Sequence, residues 1–226
     1  NEIGMKIFKI PSFEIVNLDL LKSIASFHKP IILSTGAASY KEIDKAIDVI
    51  TGEGNYDLAL MACTLSYHTE DKDANLKRIQ TLKEKYPNFM IGHSDHTMPD
   101  QNMVIPAISV ALGARMIEKH YTMSRTMTGS GHYFSIQPDD LRKMVHNIRL
   151  FEKVIGDGSQ GTAENEKRGK AGGRKSIVAS VVIEKEMLTY KRPGDGISPD
   201  RVDEVVGMTA SEDIGEDYQV TWENIK

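Results

Sequence analysis

From Lys6 to Gly156, short apolar runs alternate with longer stretches in which apolar residues recur at helical spacing. Lys6-Ile7-Phe8-Lys9-Ile10 reads as a strand, and Asn17 to His28 as a helix with Leu18, Leu21, Ile24 and Ala25 on one face. Pro30-Ile31-Ile32-Leu33 is a second strand ending in Ser34-Thr35-Gly36. Ser39 and Glu42 then form a capping-box pattern that opens a helix with Ile43, Ala46, Ile47 and Ile50 on its apolar side. A third strand ends at Cys63-Thr64. The spacing of Leu76, Ile79 and Leu82 predicts a helix from Asp73 to Tyr86, stopped by Pro87. Phe89-Met90-Ile91-Gly92 and Arg115-Met116-Ile117 are two further strands, joined by an amphipathic pattern from Asn102 to Gly113. Pro138-Asp139-Asp140 opens a long helix to Gly156, with Leu141, Met144, Val145, Ile148 and Phe151 aligned.

Five consecutive β/α units are the rhythm of a parallel α/β architecture. The reactive side chains gather where strands end: Lys9 and Ser12, Ser34 and Thr35, Thr64 and Tyr67, Ser94 to His96, Glu118 and His120. A (β/α)8 TIM barrel shows that clustering at its active face. A doubly wound sheet also fits the rhythm, but no glycine-rich dinucleotide fingerprint follows the first strand. The expected fold is thus an α/β barrel, here three β/α units short of eight, followed by a small β-rich domain. Residues 1–156 form the partial barrel, 157–174 a Gly-, Lys- and Glu-rich linker, and 175–226 the small domain. In that domain Ser176 to Ala179 and Leu188 to Tyr190 read as strands, and Arg201 to Val206 as a short helix.

Composition narrows the function classes. The chain has 226 residues, 40% hydrophobic and 27% charged, enough for a sizeable core. A net charge of −4 gives no global attraction to nucleic acid or anionic membrane, so any anion site must be local. No apolar run approaches the roughly 18 residues of a membrane span. Asn1-Glu2-Ile3-Gly4 is not a signal peptide, so the cytoplasm is the expected compartment. The single cysteine, Cys63, excludes an internal disulfide framework and reads as a packing residue.

Two stretches, Ser94-Asp95-His96-Thr97 and Glu118-Lys119-His120, cap neighbouring strands. Parallel neighbours joined by a right-handed crossover open onto the same edge, so His96 and His120 face one cavity with Asp95 and Glu118 beside them. Imidazoles with nearby carboxylates suit a divalent metal such as Mn²⁺, Fe²⁺, Zn²⁺ or Co²⁺; two unrelated histidines bonded to backbone are the alternative. Ser12, Ser34, Thr35-Gly36 and Ser94, with Lys9, offer donors for a phosphate at strand-to-helix turns. Each serine alone equally suits helix capping.

These residues resemble the sialic acid synthases, the family of N-acetylneuraminate, legionaminate and pseudaminate synthases. The resemblance rests on Phe8-Lys9-Ile10-Pro11-Ser12, Lys29-Pro30-Ile31-Ile32-Leu33-Ser34-Thr35-Gly36, Gly92-His93-Ser94-Asp95-His96-Thr97, Ile117-Glu118-Lys119-His120-Tyr121-Thr122 and Lys191-Arg192-Pro193-Gly194-Asp195-Gly196-Ile197-Ser198. The tail looks like the family's antifreeze-like (SAF, β-clip-like) domain, which reaches the active site of the other subunit of a homodimer. The resemblance implies condensation of phosphoenolpyruvate (PEP) with an N-acyl hexosamine to a nonulosonic acid and phosphate. It implies a metal on His96 and His120, Mn²⁺ with Mg²⁺ or Co²⁺ as alternatives. Glu118 and Asp95 are the implied catalytic residues. Lys9, Ser12, Ser34 and Ser94 are implied to bind PEP, with Thr64 on the same rim, Tyr67 on the sugar and Arg192 arriving from the partner.

The chain departs from the family at Leu65, at Tyr67-His68-Thr69-Glu70, between Glu184 and Leu188, and at Thr128-Gly129-Ser130-Gly131-His132, where Gly131 replaces a sugar-binding Asp. The expected sugar therefore differs from N-acetylmannosamine. With five units, the isolated chain is expected to lack synthase activity until about three upstream units are supplied. The alternative function is a non-catalytic or incomplete relative that binds a sugar phosphate or needs another chain.

Overall fold

The computed structural model describes residues 4–159, 170–173, 176–191 and 196–226. The chain divides into two units between Gly158 and Ser159. In the first, strands β1 (Phe8–Ile10), β2 (Ile31–Ser34), β3 (Leu58–Cys63), β4 (Met90–Asp95) and β5 (Ile117–Lys119) alternate with helices α1 (Leu18–Ala25), α2 (Tyr40–Gly52), α3 (Arg78–Lys85), α4 (Val104–Ala111) and α5 (Pro138–Val154). Local chemistry sets the helix starts. The Asn17 side chain accepts from Leu20 N, and Ser39 with Glu42 forms the full capping box of α2. Asp100 accepts from the amides of Asn102 and Val104 at the start of α4, and Pro138 takes the first turn of α5.

Two boundaries differ from the sequence reading. The helix expected from Asp73 begins at Arg78, because Asn75 takes a left-handed backbone (φ +44°) after a 3-10 turn at Asp71–Asp73. Strands β4 and β5 run on through Asp95 and Lys119, because the ladder continues through the pairs Ser94↔Glu118 and Asp95↔Lys119.

All five strands are parallel and lie in chain order, β1-β2-β3-β4-β5, without the reversal of a doubly wound sheet. Laid flat, four strand spacings would separate β1 from β5 by about 19 Å. Yet Lys9 Nζ on β1 lies 3.4 Å from Glu118 Oε2 on β5. The sheet is therefore strongly curled, a parallel half-barrel with the Lys9–Glu118 pair on its concave side. The convex side is the core: Ile10, Ile31, Leu33, Leu58, Leu60, Ala62 and Ile91 pack against Leu21, Ala25, Ile43, Ala46, Ile50, Ile79 and Leu82 of the helices.

The second unit pairs β6 (Lys170–Gly173) antiparallel with β7 (Leu188–Lys191) and carries a short helix α6 (Val202–Val205). Its core is Ile177, Ile183, Leu188, Ile197, Val202, Val205, Ala210, Ile214, Val220 and Ile225. The end of the expected linker thus belongs to a strand. Ala171-Gly172-Gly173 pair with Tyr190, Thr189 and Leu188, and an alanine with two glycines leaves no apolar pattern to read. Most of the rest of that linker, and Arg192, lie outside the described residues. The strand expected at Ser176 to Ala179 reduces to one bridge, Ile177↔Ile214. Among the described residues no helix is long and apolar enough to cross a membrane.

Candidate active site

Side chains alternate across a strand, so residues next to the buried apolar positions project onto the concave face. Lys9 follows Phe8 there, Ser34 follows Leu33, and Met61 and Cys63 flank Ala62. Ser94 and Glu118 are paired in register, and His96 and His120 lie two residues further on. Near the middle of this face Gly92 lies under Met61: a Cβ at 92 would stand 2.3 Å from Met61 Sδ and 3.0 Å from the Met116 carbonyl.

Three groups from three strands form one cluster. Ser94 Oγ donates to Glu118 Oε1 at 2.6 Å, and Lys9 Nζ lies 3.4 Å from Oε2 of the same carboxylate. On β2, the strand paired with that of Lys9, Ser34 is 2% exposed, and its Oγ is, among the described residues, the one buried side-chain polar atom without a hydrogen-bond partner. A hydroxyl left so in a protein interior is costly unless something else bonds it.

The two histidines adjoin this cluster. Their ring centres are 5.2 Å apart, edge to face. His96 Nδ1 is 3.0 Å from the Thr64 carbonyl, which can only accept, so Nδ1 carries a proton and, in the neutral ring, Nε2 is the bare nitrogen. Cys63 Sγ lies 3.8 Å from the same nitrogen. Burial favours the neutral His96 ring, but the bonds to Cys63 and Thr64 outweigh it and raise its pKa. Burial likewise pushes the Cys63 thiol up, and hydrogen bonds with His96, Ser12 and Ser94 bring it below its ordinary value. His120 is lowered, by burial and then by His96, which favours its neutral ring.

The Tyr67 ring packs 4.5 Å from His96 and 5.6 Å from His120, and Phe134 lies 4.7 Å from His120. Tyr67 is 51% exposed; burial of its hydroxyl and the charges of Cys63 and Glu118 raise its pKa, keeping it a donor. Gly131 (φ +92°) borders the same space, where a Cβ would lie 3.6 Å from His120 Nδ1.

Among the described residues no group of three His, Cys, Asp or Glu side chains is disposed to hold a metal. Two imidazoles nevertheless suit one divalent ion. Metal–nitrogen bonds of about 2 Å put an ion about 3 Å from each ring centre, within reach of both, and the Thr64 carbonyl orients His96 as ligand histidines require.

The structure turns Asp95 away from the site and gives Ser12 and Thr64 bonding partners within the chain. Asp95 points to the convex side, where it is 1% exposed and ion-paired with Lys119 at 2.7 Å. Burial would raise its carboxyl, but Lys119 and Thr97 outweigh it and hold it below the ordinary value. A carboxylate so enclosed has no open side for substrate or water. Ser12 Oγ accepts from Gly36 N at 2.9 Å beside the Cys63 thiol, which ties the turn after β1 to the turn after β2 and caps no helix. Thr64 Oγ1 donates to the Asp73 carbonyl, so its contribution to the rim is its own carbonyl on His96. The sequence reading passed over Phe134, and it took Cys63 for packing, whereas the thiol also faces His96. The alternation of β3, which puts Cys63 on the side opposite Ala62, is the signal that finds it.

A curled parallel sheet with lysine, carboxylate, serines and paired histidines at its carboxyl ends defines an α/β protein with its active face on that rim. The sequence pattern of the NeuB family matches residues 1–160, and that of the SAF domain matches residues 174–226. The chain belongs to the NeuB family. It is 40% identical over 225 residues to the N,N'-diacetyllegionaminic acid synthase of Campylobacter jejuni, a match covering 96% of this chain and 66% of that protein. Among solved structures it is similar to the N-acetylneuraminic acid synthetase of Leptospira borgpetersenii in complex with citrate (40% identity, TM-score 0.66, 72% of this chain and 55% of that one). It is also similar to the spore coat polysaccharide biosynthesis protein spsE of Bacillus subtilis (30% identity, TM-score 0.63, 100% and 69%). The chain spans about two thirds of the length of the curated relatives it matches.

Proposed function

We propose that this chain serves a nonulosonic acid synthase reaction: C3 of PEP bonds to the aldehyde carbon of an N-acyl hexosamine, the aldehyde oxygen becomes a hydroxyl, water adds at C2 and phosphate leaves. The curled sheet is then an arc of a (β/α)8 barrel. The observation that carries the reading is the concave cluster, in which an ammonium, a carboxylate, an orphaned hydroxyl and two imidazoles converge at the carboxyl ends of parallel strands.

Each group has a chemical task. The Lys9 ammonium balances the charge of PEP, and the Ser34 hydroxyl gains in a phosphate or carboxylate oxygen the partner it lacks. Ser94 fixes the Glu118 carboxylate, which then orients the water that adds at C2. Tyr67 lies over both imidazoles, where the sugar enters. A divalent ion on His96 and His120 would supply Lewis acidity toward the aldehyde oxygen. Nitrogen ligands favour Mn²⁺ or Co²⁺ over Mg²⁺, which prefers oxygen. Glycine at 131 leaves no side-chain acceptor beside His120, and a site without that acceptor selects a sugar other than N-acetylmannosamine. Arg192 of a second copy in a homodimer, and a cytoplasmic setting, complete the proposal.

Calorimetric titration of PEP in the presence of Mn²⁺ tests it. Lys9→Ala and Ser34→Ala should each weaken PEP by about tenfold, the loss of one charge-assisted bond. Unchanged affinity in both variants overturns the reading. Phosphate release across a panel of N-acyl hexosamines, with the upstream β/α units supplied, then identifies the sugar, and N-acetylmannosamine as the best substrate would overturn the reading of Gly131.

A further inference from the structure

His96 and His120 each follow directly on a residue of one buried ion pair, Asp95 with Lys119. These two are the last register pair of the β4–β5 ladder. Beyond it the strands part. The His96 carbonyl accepts from Thr69 N at 2.9 Å and the His120 carbonyl from Ile136 N at 2.8 Å, so each histidine's backbone is tied to a different neighbour. What joins the two strands at this level is the Lys119 ammonium. It donates to Asp95 Oδ2 at 2.7 Å and to the Thr97 carbonyl at 2.9 Å, gripping the residues on both sides of His96. Asp95 Oδ1 closes the knot by accepting from Thr97 N at 2.9 Å and Thr97 Oγ1 at 2.7 Å. The side chains of Lys119 and Asp95 are 3% and 0% exposed.

Stability does not explain so many directed bonds. A buried ion pair repays its own desolvation poorly, and well-packed apolar residues of the same volume hold a fold as well. What an apolar pair lacks is a fixed geometry, and here the geometry is transmitted to the two side chains that emerge one residue later on the opposite face.

We propose that the Lys119–Asp95–Thr97 knot is a positioning device that sets the separation and pitch of His96 and His120 for one divalent ion. The inference rests on the metal reading above. Positioning predicts an effect on the ion itself as well as on the fold.

The test is titration of the whole chain with Mn²⁺, together with the visible absorption of bound Co²⁺, which reports ligand geometry. Asp95→Asn/Lys119→Met removes both charges together and strands neither. Thr97→Val keeps the ion pair and the volume while removing the hydroxyl bond. We expect the double variant to bind Mn²⁺ at least tenfold more weakly with a shifted Co²⁺ spectrum, and Thr97→Val about threefold more weakly. Leu33→Ala, a core substitution far from the knot, should keep affinity and spectrum while lowering stability. If the double variant fails to fold, Thr97→Val decides. Affinity within twofold of the parent and an unchanged spectrum in the folded knot variants overturn the proposal, provided His96→Ala and His120→Ala abolish binding. A parent that binds no Mn²⁺, or histidine variants that bind it normally, overturns the metal reading instead.

Discussion

Alternate residues of the same strands build the two sides of the half-barrel, and the sides obey opposite rules. On the convex side Leu33 and Leu60 are fully buried among helix side chains. One residue along, on the concave side, Ser34 is as deeply buried, with a hydroxyl that bonds to nothing. There too a lysine and a carboxylate are brought together from opposite edges of the sheet. The convex side lowers the free energy of the fold; the concave side spends part of that surplus holding groups ready for something outside the chain. A strand can serve both because its pleat separates them by one residue.

Substitution of neighbours breaks this comparison most sharply. Leu33→Ala or Leu60→Ala should cost 2–5 kcal/mol in urea unfolding, the ordinary range for emptying a packed core site. PEP affinity of the protein that remains folded should be unchanged. His93, on the convex side with its Nδ1 2.8 Å from Ser109 Oγ, adds a pH dependence. Burial lowers its pKa to about 4 from 6.5, against the pull of Asp95. Between those values the unfolded chain binds the proton and the folded chain does not. The His93 contribution to stability is therefore full above pH 6.5 and falls by about 3 kcal/mol as the pH drops to 4. His93→Gln should flatten that slope, and an unchanged slope would refute the assignment. Ser39→Ala, at an exposed helix start, sets a scale: loss of the capping box costs about 1 kcal/mol. Ser34→Ala should cost no stability and should raise it by up to about 1 kcal/mol, since no bond within the chain is lost and an unpaired buried hydroxyl is removed. A large loss of stability from Ser34→Ala would show that the concave side is not the reserve it is taken for.

Much of this was legible in the residues. The five strands, the Ser39–Glu42 box and the gathering of Lys9, Ser94, Glu118, His96 and His120 follow from periodicity and from the edge that parallel strands share. Asp95 was misread for want of a rule already present in the sequence. In Ser94-Asp95-His96 the middle residue must face away from its neighbours, as Lys119 does between Glu118 and His120. Other features had no local signal. Ser109 meets His93, Phe134 meets His120, and Thr64 trades its hydroxyl for its carbonyl, all through contacts distant in sequence. Strand β6 was hidden for another reason. Ala171-Gly172-Gly173 carry no pattern, and their pairing is written in the backbone of β7.

The close fit of Met61 over Gly92 has a consequence for how such a protein can change over generations. A side chain at 92 needs the flexible end of Met61 to swing aside, and the Met116 carbonyl that borders the position leaves little room even then. What one of the two positions holds therefore sets what the other accepts. A shorter residue at 61 opens the space that alanine at 92 needs. Among related sequences, then, a side chain at 92 should be commoner where the residue at 61 is small.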